Sequence, residues 1–144
     1  FIPDPDGHHY ASELLGQVVN MNKGIYLDDE LQTVTPTDFC VGVAGYPEKQ
    51  FSAPNLKTDL KYLKLKVDMG ADYIVTQMFF DNQKYFEFVD KCREMGINVP
   101  IIPGIKPITG KGQTTILPKV FHIDLPEALT DEVEKCKDNN AVKE

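Results

Sequence analysis

Several things are scarce in these 144 residues, and each scarcity removes a class of protein. Only three cysteines occur, Cys40, Cys92 and Cys136. They are widely spaced and form no CxxC pair, so neither a disulfide frame nor a zinc site is expected, and reduced thiols in the cytosol are. No apolar run approaches the roughly 18 residues of a membrane span. Positive charge is short: 15 Lys and Arg against 22 Asp and Glu leave a net charge of -7. Nucleic acid, which needs clustered cations, is therefore not an expected partner. The chain has no GxGxxG, no P-loop and no GxSxG elbow, and Gly110-Lys111-Gly112 lacks P-loop spacing. His8 and His9 are adjacent and His122 is far off, so no metal site is expected. The chain starts on Phe1 rather than Met, with no signal-peptide pattern after it, which reads as a start inside a longer protein.

What is present is an ordinary globular composition, 42% apolar and 26% charged, of one-domain length. A first helix is expected over residues 7–22, capped by Asp6, with Tyr10, Leu14 and Val18 as its apolar row and Leu15 and Val19 widening it. Residues 39–44 (FCVGVA) read as a strand buried on both faces. Gly45-Tyr46-Pro47-Glu48 forms its exit turn. Ser52 is the expected cap of a helix bearing Leu56, Leu60, Leu63 and Val67, which Gly70 closes. A second strand begins near Tyr73 and ends on Thr76 and Gln77, and a helix follows over residues 82–95. A third strand is expected over residues 99–102, leaving through Pro103-Gly104-Ile105-Lys106. Two more helices are expected: residues 113–121, kinked or shortened by Pro118, and 126–137, with Ala128, Leu129 and Val133 inward. Strand–helix units of about 25 to 35 residues are the rhythm of parallel βα folds.

The polar candidates gather at strand ends: Tyr46 and Glu48, then Thr76 and Gln77, then Lys106. In parallel α/β folds that end binds ligands. A glutamine there can read an amide or a pterin-like ring edge, or it can simply hydrogen-bond a neighbouring loop. Asp59 and Lys66 lie seven apart on one helix flank, roughly 10 Å along the axis. That is too far for an ion pair, though both could touch one large ligand, and a solvated helix flank would look the same.

Four motifs occur in order: CVGVAGYPE over residues 40–48, Asp59 with LKLKVDMGAD over 63–72, TQMFFD over 76–81 and IIPGIKP over 101–107. With YASEL at residues 10–14 they resemble methylenetetrahydrofolate reductases, over nearly the whole chain to about Lys137. The resemblance implies a parallel α/β fold, part of a TIM (β/α)8 barrel. Residues 1–144 would form a single partial domain, about strands five to seven with their helices. A full barrel takes roughly 250 residues. It also implies FAD as cofactor, NAD(P)H as reductant and 5,10-methylenetetrahydrofolate as substrate, in one-carbon metabolism and methionine biosynthesis. A cytoplasmic homo-oligomer is expected.

Tyr10, Ala11, Tyr46, Ala53, Asp59 and Lys66 match the family's flavin contacts. Gln77 matches the glutamine that bonds the pterin and alternately the nicotinamide, and Gln113 matches a second folate contact. Gln50 stands where the family usually has histidine, so that contact is not carried over. The family's catalytic glutamate, its Arg-Gly-Asp segment and its eighth unit have no counterpart here. The chain alone is therefore expected to be inactive, and to self-associate or shift its helices over the open sheet. Two other readings compete. One is a non-catalytic module binding a nucleotide or a partner chain. The other is a different barrel enzyme, against which the Tyr46-Pro47-Glu48 turn and the Thr76-Gln77 pair argue.

Overall fold

The structure is a computed structural model that describes residues 4–5, 7–28 and 30–143. Its elements are α1 (Ala11–Met21), β1 (Gly42–Gly45), α2 (Leu56–Asp68), β2 (Tyr73–Met78), α3 (Asn82–Glu94), β3 (Ile101–Gly104), α4 (Gln113–Phe121) and α5 (Glu127–Lys135). The strands form one parallel sheet in the order β1-β2-β3, with Val43 opposite Ile74 and Ile74 opposite Ile101. Successive strands are joined through a helix, so all three chain exits lie at the same sheet end.

Local chemistry sets the helix ends. The Asn55 side chain accepts from Thr58 N–H at 2.9 Å and caps α2, and Asp81 accepts from Gln83 N–H at 2.8 Å and caps α3. Gly70 and Gly96, at φ +117° and +74°, end these two helices in a region that other residues adopt at a cost. The core lies between the sheet and these helices. Leu60, Leu63, Ile74, Phe88, Cys92 and Ile97 are buried there, with Val43, Leu56, Val67 and Ile101 packed around them. Burial of the Cys92 thiol pushes its pKa up to about 11.

Several expectations need correction. Asp6 lies outside the described residues. Helix α1 starts at Ala11, where the Glu13 carboxylate accepts from His9 and Tyr10 N–H at 2.7 and 3.1 Å. Its buried side is Leu15, while Tyr10 and Leu14 are exposed. Strand β1 is Gly42–Gly45 and not 39–44, because side chains take the backbone partners that a longer strand would use. The Asn22 amide both accepts from and donates to the Phe39 backbone at 2.9 Å, and Asp72 Oδ2 accepts from Val41 N–H at 2.7 Å. Asn55 replaces Ser52 as cap because Ser52 is held by Gln50. Pro100 has no N–H, so β3 begins one residue later and runs on through Pro103. Helix α4 has the expected bounds, and Pro118 leaves it one further turn. In α5 Val133 is buried, whereas Ala128 is exposed.

Strand β1 is also not buried on both faces, since Ala44 is exposed, and its neighbours share that open side. The side away from the helices leaves Val75 40% and Ile102 47% exposed. A run of small and β-branched residues is equally suited to a helix-covered face and to one facing a barrel interior.

Two measurements test this packing. A Cβ on Gly104 would lie 2.1 Å from the Thr76 carbonyl oxygen, whereas one on Gly112 meets nothing within 4 Å. Gly104→Ala is expected to cost about 3 kcal/mol in urea unfolding and Gly112→Ala less than about 0.5. The buried thiol gives the second. An acid whose folded pKa lies above its unfolded value favours folding below the unfolded value and loses that contribution as pH rises. With Cys92 at 9.0 unfolded and about 11 folded, stability should fall between pH 9 and pH 11, and Cys92→Ala should flatten the slope.

Candidate functional site

The sheet's alternation builds the site. Along β2, Ile74 and Thr76 face the helices and are buried, while Val75 and Gln77 face the open side. Gly104 N–H donates to Thr76 Oγ1 at 2.9 Å, at the register shift between Val75 and Met78. This splice holds the strand end that carries Gln77. Gln77 Oε1 accepts from Met78 N–H at 3.1 Å, which leaves its amide nitrogen to donate elsewhere.

Strand β1 ends on Gly45, where a Cβ would come within 2.7 Å of Ile74 and 2.9 Å of Phe88. Tyr46 follows directly. An open-sided cleft of about 340 Å³ lies on the uncovered sheet face, lined by Gly42, Val43, Ala44, Tyr46, Tyr73, Val75, Thr76 and Gln77. Tyr46 and Gln77 thus share one cavity at the exits of neighbouring strands.

The loop beyond Tyr46 is clamped onto α2. Lys49 sits at φ +89°, and its amine donates to Ala53 O at 2.7 Å. Gln50 Oε1 accepts from Ser52 N–H, Ser52 Oγ–H and Ala53 N–H at 2.8, 2.6 and 3.0 Å. Gln50 N–H donates to Asp59 Oδ2 at 2.9 Å, and Lys66 Nζ donates to Ala44 O at 3.1 Å. Asp59 and Lys66 therefore bracket the loop and the strand end from beneath. Burial raises the Asp59 pKa, against the Gln50 hydrogen bond and the Lys66 charge, and burial lowers that of Lys66 against the Asp59 charge. Burial, then the Asp59 charge, raises the Tyr46 phenol.

The structure thus brings together Tyr46, Gln77, Asp59, Lys66 and, through the Gln50–Lys49 clamp, Ala53. Gln113 is engaged locally, its Oε1 accepting from Thr109 N–H at 2.6 Å. Tyr10 and Ala11 are exposed at the start of α1, and neither they nor Lys106 line the cleft. No group of three metal-ligating side chains occurs among the described residues. No helix among them is long and apolar enough to cross a membrane. Two roles were not legible beforehand. Gln50 organises the loop, and Glu48 accepts from Asp124 N–H at 2.9 Å across 76 positions of sequence. The only sequence signal for Glu48 was its place after Tyr46-Pro47.

Comparison with known proteins gives the family. The family model described as methylenetetrahydrofolate reductase matches residues 8–144. A Caenorhabditis elegans protein named probable methylenetetrahydrofolate reductase (NADPH) is 43% identical over 106 residues, covering 73% of this chain and 16% of the relative. Methylenetetrahydrofolate reductase (NADH) 1 of Arabidopsis thaliana is 44% identical over 115 residues, covering 73% of this chain and 19% of the relative. The chain thus spans less than a fifth of the length of these two relatives. A solved Clostridium thermocellum protein, described as binding two copies of 5-methyl-5,6,7,8-tetrahydrofolic acid, superposes with a TM-score of 0.56 at 21% identity. That match covers 74% of this chain and 38% of the other, and it shows the fold: parallel βα units consistent with part of a (β/α) barrel. On the family match and these identities, the chain belongs to the methylenetetrahydrofolate reductase family.

Proposed function

We propose that this chain is a single domain, residues 1–144, forming the flavin- and folate-facing part of a methylenetetrahydrofolate reductase. The whole enzyme would use NAD(P)H to reduce 5,10-methylenetetrahydrofolate to 5-methyltetrahydrofolate, in cytoplasmic one-carbon and methionine metabolism. The observation that carries this reading is the shared cleft: Tyr46 and Gln77 line one cavity at the exits of neighbouring parallel strands. Asp59 and Lys66 bracket the Tyr46 loop and the end of β1.

The residues present fit a flavin nucleotide. No hydrogen bond among the described residues engages the Tyr46 hydroxyl or the Gln77 amide nitrogen, so both can meet a ligand's polar edge. The Lys66 amine suits a phosphate or a ring oxygen, and the Asp59 carboxylate suits a ribose hydroxyl. Tyr46, Ala53, Asp59 and Lys66, with Tyr10 and Ala11 approaching from α1, would hold FAD; Gln77 and Gln113 would hold the folate. When bound, the flavin supplies hydride transfer between nicotinamide and folate. This chain's own part is to bind, orient and exclude water. No carboxylic acid among the described residues lines the cleft.

The test is titration of FAD with the purified chain, followed by flavin absorbance and fluorescence. The flavin spectrum should shift on binding, and Lys66→Met should weaken binding by about tenfold. The same mixture with NADH and folate should show no turnover. A flavin spectrum unchanged by excess chain would overturn the reading.

The sheet edges support an expected homo-oligomer. Among the described residues, strands β1 and β3 each have one unpaired edge, and Val75, Ile102 and Ile105 are 40%, 47% and 80% exposed. Sedimentation velocity is expected to show concentration-dependent self-association. A compact monomer at all concentrations would count against it.

A further inference from the structure

Beside the Tyr46–Gln77 cleft lies a second, half-open space of about 10 Å³. It is lined by Tyr46, Pro47, Glu48, Lys49, Gln77, Met78 and Phe121. Tyr46 and Gln77 belong to both spaces, so they form the partition between them. The far wall is Phe121, the last residue of α4. The three residues after it are each fixed. His122 adopts the left-handed region at φ +53° and stacks on Phe51, with ring centroids 3.9 Å apart and planes at 15°. Ile123 is 5% exposed. Asp124 N–H donates to Glu48 Oε2. A non-glycine residue in that backbone region persists where surrounding contacts over-determine it, and here the contacts come from the loop that leaves β1.

We propose that Glu48 is a positioning residue for the Tyr46–Gln77 cleft, acting through residues 121–124, which it ties down as the cleft's rear wall. This rests on the reading of that cleft as the ligand site, and it assigns a role to a side chain that reaches no ligand itself. The Glu48 carboxyl is well made for a latch. One oxygen holds the strap, and the other, Oε1, is buried without a hydrogen-bond partner among the described residues. A lone buried acceptor leaves the ionised form under-satisfied, so Glu48 should take up a proton readily, changing the charge beside the cleft while its carbonyl oxygen still accepts from Asp124 N–H. Burial raises the Glu48 pKa and the facing Asp124 and Asp81 charges add to the rise, against the Asp124 N–H hydrogen bond and the Lys84 charge, which favour ionisation. Releasing the strap would free Phe121 and widen the space beside the cleft. Tyr46 and Gln77 would then lose their backing.

The experiment is NMR on the isotope-labelled 144-residue chain, reading the side-chain amide of Gln77 and the backbone amide of Asp124. No ligand is needed, so failure of FAD binding would not mimic failure of this proposal. Glu48→Ala should shift the Gln77 signals and speed Asp124 amide exchange by about tenfold, while Ile74 exchange stays put. Glu48→Gln, whose carboxamide oxygen still accepts, should restore both. In the wild type, the Gln77 signals should titrate with a midpoint above the ordinary 4.5, and that titration should vanish in Glu48→Gln. A titration of the Gln77 signals that survives the substitution would overturn the proposal. So would Gln77 signals unmoved in Glu48→Ala. If Glu48→Ala does not fold, the wild-type and Glu48→Gln titrations alone decide.

Discussion

The alternation of side chains along β2 fixes both the core and the site. Ile74 is fully buried against Leu60, Leu63, Phe88 and Cys92, and burying a side chain of that size is worth about 2–3 kcal/mol. A slip of one residue would turn Ile74 to the open face and send Gln77 into the core. The packing that holds the sheet on its helices is therefore what aims Gln77 at the cleft. The Thr76 hydroxyl guards the same register from the other side, because Gly104 N–H binds it where the β2–β3 ladder shifts. Gly104 itself lies too close to the Thr76 backbone for any side chain.

Much of this was legible in the sequence because it rests on short-range rules. Glycines after helical periods mark the ends of α2 and α3, and the bounds of α4 follow from its pattern. The failures share a cause. Side chains of Asn22, Asp72, Gln50 and Asn55 take over backbone hydrogen bonds near element ends, and such substitutions leave no periodic trace. The expectation of two buried faces failed for another reason. Ala44, Val75 and Ile102 have the same composition whether helices cover them or they face inward in a larger sheet. Residue chemistry at strand ends was informative where the fold converts sequence order into proximity. Tyr46 and Gln77 meet because parallel strands deliver their exits to one end. Gln113 opens α4, separated from the end of β3 at Gly104 by a loop, so strand order does not carry it to the cleft, and its contacts are with Thr109.

The electrostatics beneath the cleft separate a structural from a functional account of Asp59 and Lys66. A pair retained for stability would hold each other charged, with the carboxylate pKa depressed and the amine raised. The shifts run the other way in both, since burial raises Asp59 and lowers Lys66 and outweighs their attraction. Their hydrogen bonds go to the backbone of Gln50 and Ala44 rather than to one another. The arrangement thus bears a desolvation cost that a pair of apolar side chains on the same helix flank would avoid. What it gains is a loop fixed beside Tyr46 and two groups whose charge is unusually open to influence. Under the proposed reading, a carboxylate and an amine held this way beside the Tyr46 loop would serve a ligand.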